Sequence, residues 1–302
     1  MTPASASLQL ISEPLLQEKA LTLYLKREDL LHPYISGNKW RKLKYNLAEA
    51  KNQGKDTLLT FGGAYSNHIA AVSATGQEFN FKTIGFIRGE PHVPLNSTLQ
   101  FAQNCGMQLH YLDRTTYRQK QEPDFQEQLI SKYPHAYLLP EGGTNVLAVK
   151  GCTEIIHDIN IPVDYICCAA GTGGTLAGII AGLQGKAQVL GFSALKGGKF
   201  LEADIAALVK EYNGQEYDNW QLQTDYHFGG YAKVKPELIA FMQAFKENHH
   251  IPLETIYTGK MMYGIYDLIR QDFFKAGNTI IAIHTGGLQG LAGFAERFGL
   301  AL

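Results

Sequence analysis

The chain has 302 residues, 45% of them hydrophobic, with 27 basic and 28 acidic side chains and a formal net charge of −1. That length allows one large or two modest cores, and the balanced charge argues against a nucleic-acid binder. No run of apolar residues is long enough to span a membrane, and MTPASASLQLISEPLL lacks the charged-then-apolar pattern of a signal peptide. Cys105, Cys152, Cys167 and Cys168 form no Cys-x-x-Cys pair, which speaks against zinc and leaves a metal-free, reducing, cytoplasmic setting as the expectation.

Short apolar runs alternate with helical patterns along almost the whole chain. Strands are predicted at Leu21–Lys26, Thr57–Phe61, Thr83–Ile87, Gln108–Tyr111, Ala136–Leu139, Tyr165–Ala169, Gln188–Phe192 and Thr279–His284. Helices are predicted at Asn38–Lys51, Asn67–Glu78, Leu95–Asn104, Val146–Asp158, Thr175–Leu183 and Leu288–Phe298. Strand–helix alternation with uniformly apolar strands predicts an α/β fold, its parallel sheets covered on both faces. Residues 193–235, with GGK, NGQ and FGG, have the weakest pattern and are expected to contain loops near the surface. In such folds ligands bind beyond the carboxyl ends of the strands, so the turns there are where chemistry is sought.

The first of these regions is SGNKWRKLKYN, where Lys39, Arg41, Lys42 and Lys44 crowd the start of a helix. A helix amino end already carries about half a positive charge and favours anions. With a net charge of only −1 for the whole chain, this local excess suggests a small anionic partner. The clearest turn is YICCAAGTGGTLAGIIAGL. Its strand runs into Gly171, Thr172, Gly173, Gly174 and Thr175 before a helix of small apolar residues, a pattern suited to cradling a phosphate. A dinucleotide fingerprint would need a third glycine where Leu176 stands, and no Gly-Lys-Ser/Thr triplet is present for a P-loop. In LLTFGGAYSNHIAAVSA, Ser66, Asn67 and His68 follow a Gly-Gly turn; a helix cap explains one of them, and three suit a small carboxylate or ring oxygen. In IIAIHTGGLQGLAGF, His284 reads as a core histidine, while the Thr285 hydroxyl is placed to meet a heterocyclic nitrogen. Tyr257, in IYTGKMMYG, reads in isolation as core.

Together these stretches resemble a known family. Gly37-Asn38-Lys39-Trp40-Arg41-Lys42-Leu43, Ser66-Asn67-His68, Gly142-Gly143-Thr144-Asn145, Tyr257-Thr258-Gly259-Lys260 and His284-Thr285-Gly286-Gly287 occur in the order seen in the pyridoxal-phosphate enzymes comprising 1-aminocyclopropane-1-carboxylate (ACC) deaminase and D-cysteine desulfhydrase. The resemblance spans roughly residues 10 to 300. It implies the two-domain tryptophan-synthase-β-like fold, with residues 43–152 as a smaller inserted domain and residues 1–42 and 153–302 as the larger, cofactor-binding one. It also implies a cytoplasmic homodimer acting on a small amino acid. By the family pattern Lys39 carries pyridoxal 5'-phosphate on its amine, and Lys42, one turn on, meets the phosphate. Gly171, Thr172, Gly173, Gly174 and Thr175 hold that phosphate, Asn67 meets the ring oxygen and Thr285 the ring nitrogen. Ser66, Asn67 and His68 take the substrate carboxylate, Tyr257 sits against the substrate, and Lys39 or Ser66 removes the α-proton. Arg41 and Lys44 are left as solvated or ion-paired surface.

The departures matter. The ACC deaminases have glutamate after the tyrosine and a His-Leu pair at the strand end, whereas this chain has Thr258 and Thr285, the desulfhydrase pattern. Gly151-Cys152 replaces the usual Gly-Tyr, and the chain is short around residues 193–230, which bears on the substrate. The expectation is β-elimination from D-cysteine, with ACC ring opening as the alternative. A Rossmann oxidoreductase and a non-catalytic binding protein are the readings from other classes.

Overall fold

The computed structural model describes residues 6–298. Residues 1–5, part of the stretch read for a signal peptide, lie outside it, as do residues 299–302. In chain order the strands are β1 (Leu8–Ile11), β2 (Thr22–Lys26), β3 (Thr57–Gly62), β4 (Lys82–Arg88), β5 (Gln108–Leu112), β6 (Ala136–Leu139), β7 (Tyr165–Ala170), β8 (Gln188–Ser193), β9 (Trp220–Gln223) and β10 (Thr279–Ile283). The helices are α1 (Pro14–Glu18), α2 (Asn38–Asn52), α3 (Asn67–Phe79), α4 (Ser97–Asn104), α5 (Arg114–Arg118), α6 (Pro123–Lys132), α7 (Val146–His157), α8 (Gly174–Leu183), α9 (Leu201–Asn213), α10 (Pro236–His249), α11 (Thr258–Arg270) and α12 (Gly290–Phe298).

Two sheets result. The larger runs β1-β2-β10-β7-β8-β9 and the smaller β5-β4-β3-β6. All pairings are parallel except that of edge strand β1 with β2. Successive residues of β10 enter opposite cores, as a period of two requires. Ile280 and Ala282 pack with Met261, Ile265 and Ile269 of α11. Ile281 and Ile283 pack with Ile179, Ile180 and Val149 of α8 and α7. Burial on both faces is why these strands read as continuous apolar runs. The smaller sheet is covered on one face by Leu43, Ile69 and Leu99 of α2, α3 and α4, and on the other by Tyr117 and Leu129.

Every strand and helix predicted from sequence is present, with ends shifted by one or two residues. Loops are present between residues 193 and 235, but they are not all that the region contains. That region holds α9 and edge strand β9. Helix α9 buries Leu201, Ile205 and Val209, a spacing of four visible in the sequence but obscured by the glycines on either side. Helix α10, opened by Pro236, buries Leu238, Ile239, Met242 and Phe245 in the same manner.

Helices α2, α7 and α8 stack closely. A Cβ on Gly151 would stand 1.9 Å from the Arg41 carbonyl oxygen, and one on Gly178 would stand 2.3 Å from Cys152 Cβ. Cys152 is fully buried in this stack, so the change from the family's tyrosine lies in helix packing and not in the cavity wall.

Candidate active site

The carboxyl ends of β3, β4, β6 and β7 face a cavity of about 280 Å³, closed from the other side by the starts of α2, α8 and α11. Every site residue singled out from the sequence lines it: Lys39 and Lys42, Ser66 to His68, Gly171 to Thr175, Tyr257 and Thr285. These positions span most of the chain, and only the fold brings them together.

Helix α2 starts at Asn38, and the Asn38 N–H donates to the Thr285 carbonyl at 3.3 Å. Gly37, at φ +62°, permits this approach, since a Cβ there would stand 2.0 Å from the Thr285 carbonyl oxygen. The Asn38 side chain donates to Thr175 Oγ1 at 2.8 Å, tying the start of α2 to the start of α8. Lys39 then points into the cavity. It is half-buried and lines the cavity. Burial, with the charge of Lys42 adding to it, lowers its pKa from 10.5 to about 7. A fraction of the amine is therefore unprotonated and nucleophilic at neutral pH.

Lys42 is buried one turn on. Its ammonium donates to Gly142 O at 2.9 Å and Thr144 Oγ1 at 2.8 Å, and burial lowers its pKa to about 8. The Thr144 and Thr172 hydroxyls are 2.5 Å apart, which joins this loop to the glycine turn. Gly173, at φ +79°, caps α8 without a side chain, so the free N–H groups of the first turn face the cavity with no internal acceptor. A Cβ on Gly174 would stand 2.9 Å from Thr144 Cγ2 and 3.2 Å from Lys42 Nζ. The space between amine and turn is kept clear by glycine.

Ser66 caps α3, its hydroxyl accepting from the His68 and Ile69 N–H groups at 3.2 and 3.3 Å. Asn67 accepts from Gln289 Nε2 at 2.7 Å, which leaves its own amide donors for the cavity. His68 is 2% exposed. Thr60 Oγ1 donates its proton to Leu139 O at 2.9 Å and so accepts from His68 Nε2 at 2.8 Å. That assigns the lone pair to Nδ1, which faces Gly143 and has no hydrogen-bond partner among the described residues. Burial, aided by the charges of Lys39 and Lys42, drives its pKa well below 6.5, so the ring is neutral.

His284 is a core residue as read, buried with Nε2 2.8 Å from Pro252 O. Arg41 is not at the surface. Its guanidinium is buried and holds Glu28 by two bonds of 2.9 and 3.0 Å, Asp158 at 2.6 Å and Glu154 at 3.3 Å. Lys44 is exposed and pairs with Glu154 at 2.7 Å. Sequence reasoning missed Arg88, Glu141 and Tyr231 in the cavity wall. Arg88 ends β4 and Glu141 follows β6, so the rule that ligands lie past strand ends would have found both. Tyr231 sits in an irregular loop with no such signal. Its ring meets Tyr257 edge-on at 6.2 Å.

The cavity thus combines a nucleophilic lysine, a helix amino end for an anion, and amide and hydroxyl donors around a flat space. The family model for pyridoxal-phosphate dependent enzymes matches residues 7–286, and the chain belongs to that family. It is 30% identical over 298 residues to a putative ACC deaminase of Thermotoga maritima, covering 93% of this chain and 94% of that one. It is 26% identical to a D-cysteine desulfhydrase of Klebsiella pneumoniae, covering 89% and 88%. A crystal structure of an ACC deaminase homologue superposes with a TM-score of 0.87 at 27% identity, covering 98% and 93%. The protein is accordingly an enzyme of the pyridoxal-phosphate dependent lyase and deaminase group, and its cofactor is pyridoxal phosphate. The cavity fits that group: the glycine-cleared space between Lys42 and the α8 start suits a phosphate, and Lys39 suits the aldehyde.

Proposed function

We propose that the enzyme eliminates the β-thiol of D-cysteine, giving pyruvate, sulfide and ammonia with the uptake of one water. Bound pyridoxal phosphate supplies an electron sink for the substrate α-carbon. Lys39 holds the cofactor and, once its amine is released, takes the α-proton at Nζ, with Ser66 as the other candidate. Lys42 and the turn Gly171, Thr172, Gly173, Gly174 and Thr175 bind the phosphate. Asn67 donates to the ring oxygen, and Thr285 faces the ring nitrogen. Ser66, Asn67 and the amino end of α3 bind the substrate carboxylate. The neutral His68 ring, an acceptor at Nδ1, lends shape to that end of the site and not charge. Tyr257 orients the β-substituent.

The same reading takes residues 43–152 as the smaller inserted unit, built on the β5-β4-β3-β6 sheet, and residues 1–42 and 153–302 as the larger one. Both limits fall within helices, α2 and α7, that pack against each other at Gly151. It also takes the enzyme as a cytoplasmic homodimer. Among the described residues no helix is long and apolar enough to cross a membrane.

The observation that carries the choice of substrate is Thr258. It is fully buried, and its hydroxyl accepts from the Glu254 N–H at 3.0 Å. No carboxylate follows Tyr257. The nearby Glu254 cannot stand in for one, because its oxygens are taken by the N–H groups of Ile256, Tyr257 and Thr258 at 2.5–2.7 Å. A site without that acid suits α-proton removal and loss of a thiolate, whereas ACC has no α-hydrogen to remove. The test is pyruvate and sulfide release from D-cysteine, with kcat/KM for ACC at least about a hundredfold lower, roughly 2.7 kcal/mol of barrier. Comparable turnover of ACC would replace this reading with the deaminase one. Preference for L-cysteine would overturn the stereochemistry alone.

A further inference from the structure

Helix α11 carries a buried ammonium that the chemistry above does not use. Lys260 is 1% exposed, and its Nζ donates to His227 O at 2.9 Å and Gly230 O at 2.8 Å. The loop it grips is also held by Phe228, edge-on to Tyr263 at 4.9 Å, and by the Gly229 and Gly230 N–H groups on His227, but Lys260 is the charge that gathers its carbonyls. Phe228, Gly229, Gly230 and Ala232 all have positive φ, two of them without the freedom of glycine. Such a backbone persists only where its surroundings hold it. The next residue after the second gripped carbonyl is Tyr231, which lines the cavity and packs edge-on against the Tyr257 ring at 6.2 Å. Tyr257 itself starts the same helix, its N–H held by Glu254 Oε1 at 2.5 Å. Glu254 and Lys260 thus bracket one turn of α11, the carboxylate holding one tyrosine and the ammonium the loop of the other.

We propose that Lys260 is a positioning residue: by holding the 227–230 carbonyls it places Tyr231 where that side chain orients the Tyr257 phenol toward the substrate. This rests on the reading that Tyr257 faces the substrate. Loss of the ammonium frees the loop and leaves the phosphate end of the cavity untouched, so substrate capture suffers while cofactor binding does not.

The test compares Lys260→Met and Lys260→Gln with wild type, as full-length cofactor-loaded enzyme. Amide exchange across residues 226–233 should accelerate at least about tenfold in Lys260→Met, since that segment opens locally. KM for D-cysteine should rise at least about fivefold with the cofactor dissociation constant unchanged within about twofold. In a Tyr231→Ala background the same substitution should change KM by less than about twofold, because the path through Tyr231 is already cut. Unchanged exchange in 226–233, or an equal KM increase in both backgrounds, overturns the proposal. If Lys260→Met does not fold, Lys260→Gln serves, keeping one neutral donor and giving a smaller exchange increase of the same location. Should wild type not turn over D-cysteine, the proposed substrate fails while the exchange result still decides the role of Lys260.

Discussion

Two sets of cations leave the first turns of α2 in different directions, and their fates differ. Lys39 and Lys42 face the cavity with no carboxylate beside them, and burial lowers their pKa values to about 7 and about 8. Arg41, on the opposite face, is opposed by burial too, but the hydrogen-bonded carboxylates of Glu28 and Asp158 outweigh it and raise its pKa. The lesson is that burial alone does not decide charge. Burial without a counter-ion prepares an amine for chemistry, whereas burial with carboxylates makes an anchor. The anchor serves the amine, because the Arg41 network fixes α2 against the Glu28 turn that follows β2 and against the end of α7, while Lys39 and Lys42 project from the same turns.

The largest effect expected on the cavity face is that of Lys39→Ala. Turnover should fall at least about a thousandfold, the scale of losing a positioned proton-transfer group, while the cofactor is retained through its phosphate contacts. Borohydride reduction of loaded wild type, followed by peptide mapping, should place the label on Lys39. A label on Lys42 would reverse the assignments within this face.

On the acid face, Arg41→Met should destabilise the fold by about 3 kcal/mol, the low end for breaking a buried pair. The low end applies because Lys26 remains 3.7 Å from Glu28. Lys44→Ala, at an exposed pair of the same network, should cost less than about 0.5 kcal/mol. Equal losses in urea melts of the two variants would erase the distinction between anchor and surface pair.

The last effect concerns pH. A folded-state pKa of about 7 lies below the 10.5 of the free side chain. Between those values the unfolded chain binds more protons than the folded one, so the Lys39 contribution to stability rises with pH across that window. It has no slope below it, where both states are protonated. The slope is at most about 1.4 kcal/mol per pH unit. Melting of the cofactor-free protein should therefore improve from pH 7 to 9 more in wild type than in Lys39→Met. Identical pH slopes would show that Lys39 is not depressed.

Much of this was legible in the sequence. Apolar runs between turn residues identified all four strands, β3, β4, β6 and β7, whose carboxyl ends face the cavity. Lys39, Ser66, Gly171, Tyr257 and Thr285 stood at the strand ends or helix starts where α/β sheets place ligands. Local pattern suffices there because hydrophobic period and glycine conformation are properties of a few adjacent residues. It failed at α9, where the Leu201, Ile205 and Val209 stripe was overshadowed by nearby glycines, and at Tyr231, whose position depends on a loop without period.

What the amino-acid order determined by itself is therefore the element types, the parallel layering and the short motifs that line the cavity. What only the tertiary structure decided is the charge state and direction of each side chain. The sequence presents Lys39, Arg41, Lys42 and Lys44 as four similar cations. Glu28, Glu154 and Asp158 reach two of them from 13 to 117 residues away, and leave the other two to an enclosed cavity. A pKa is set by desolvation and by charges within a few ångströms, and those neighbours exist only once the chain has folded.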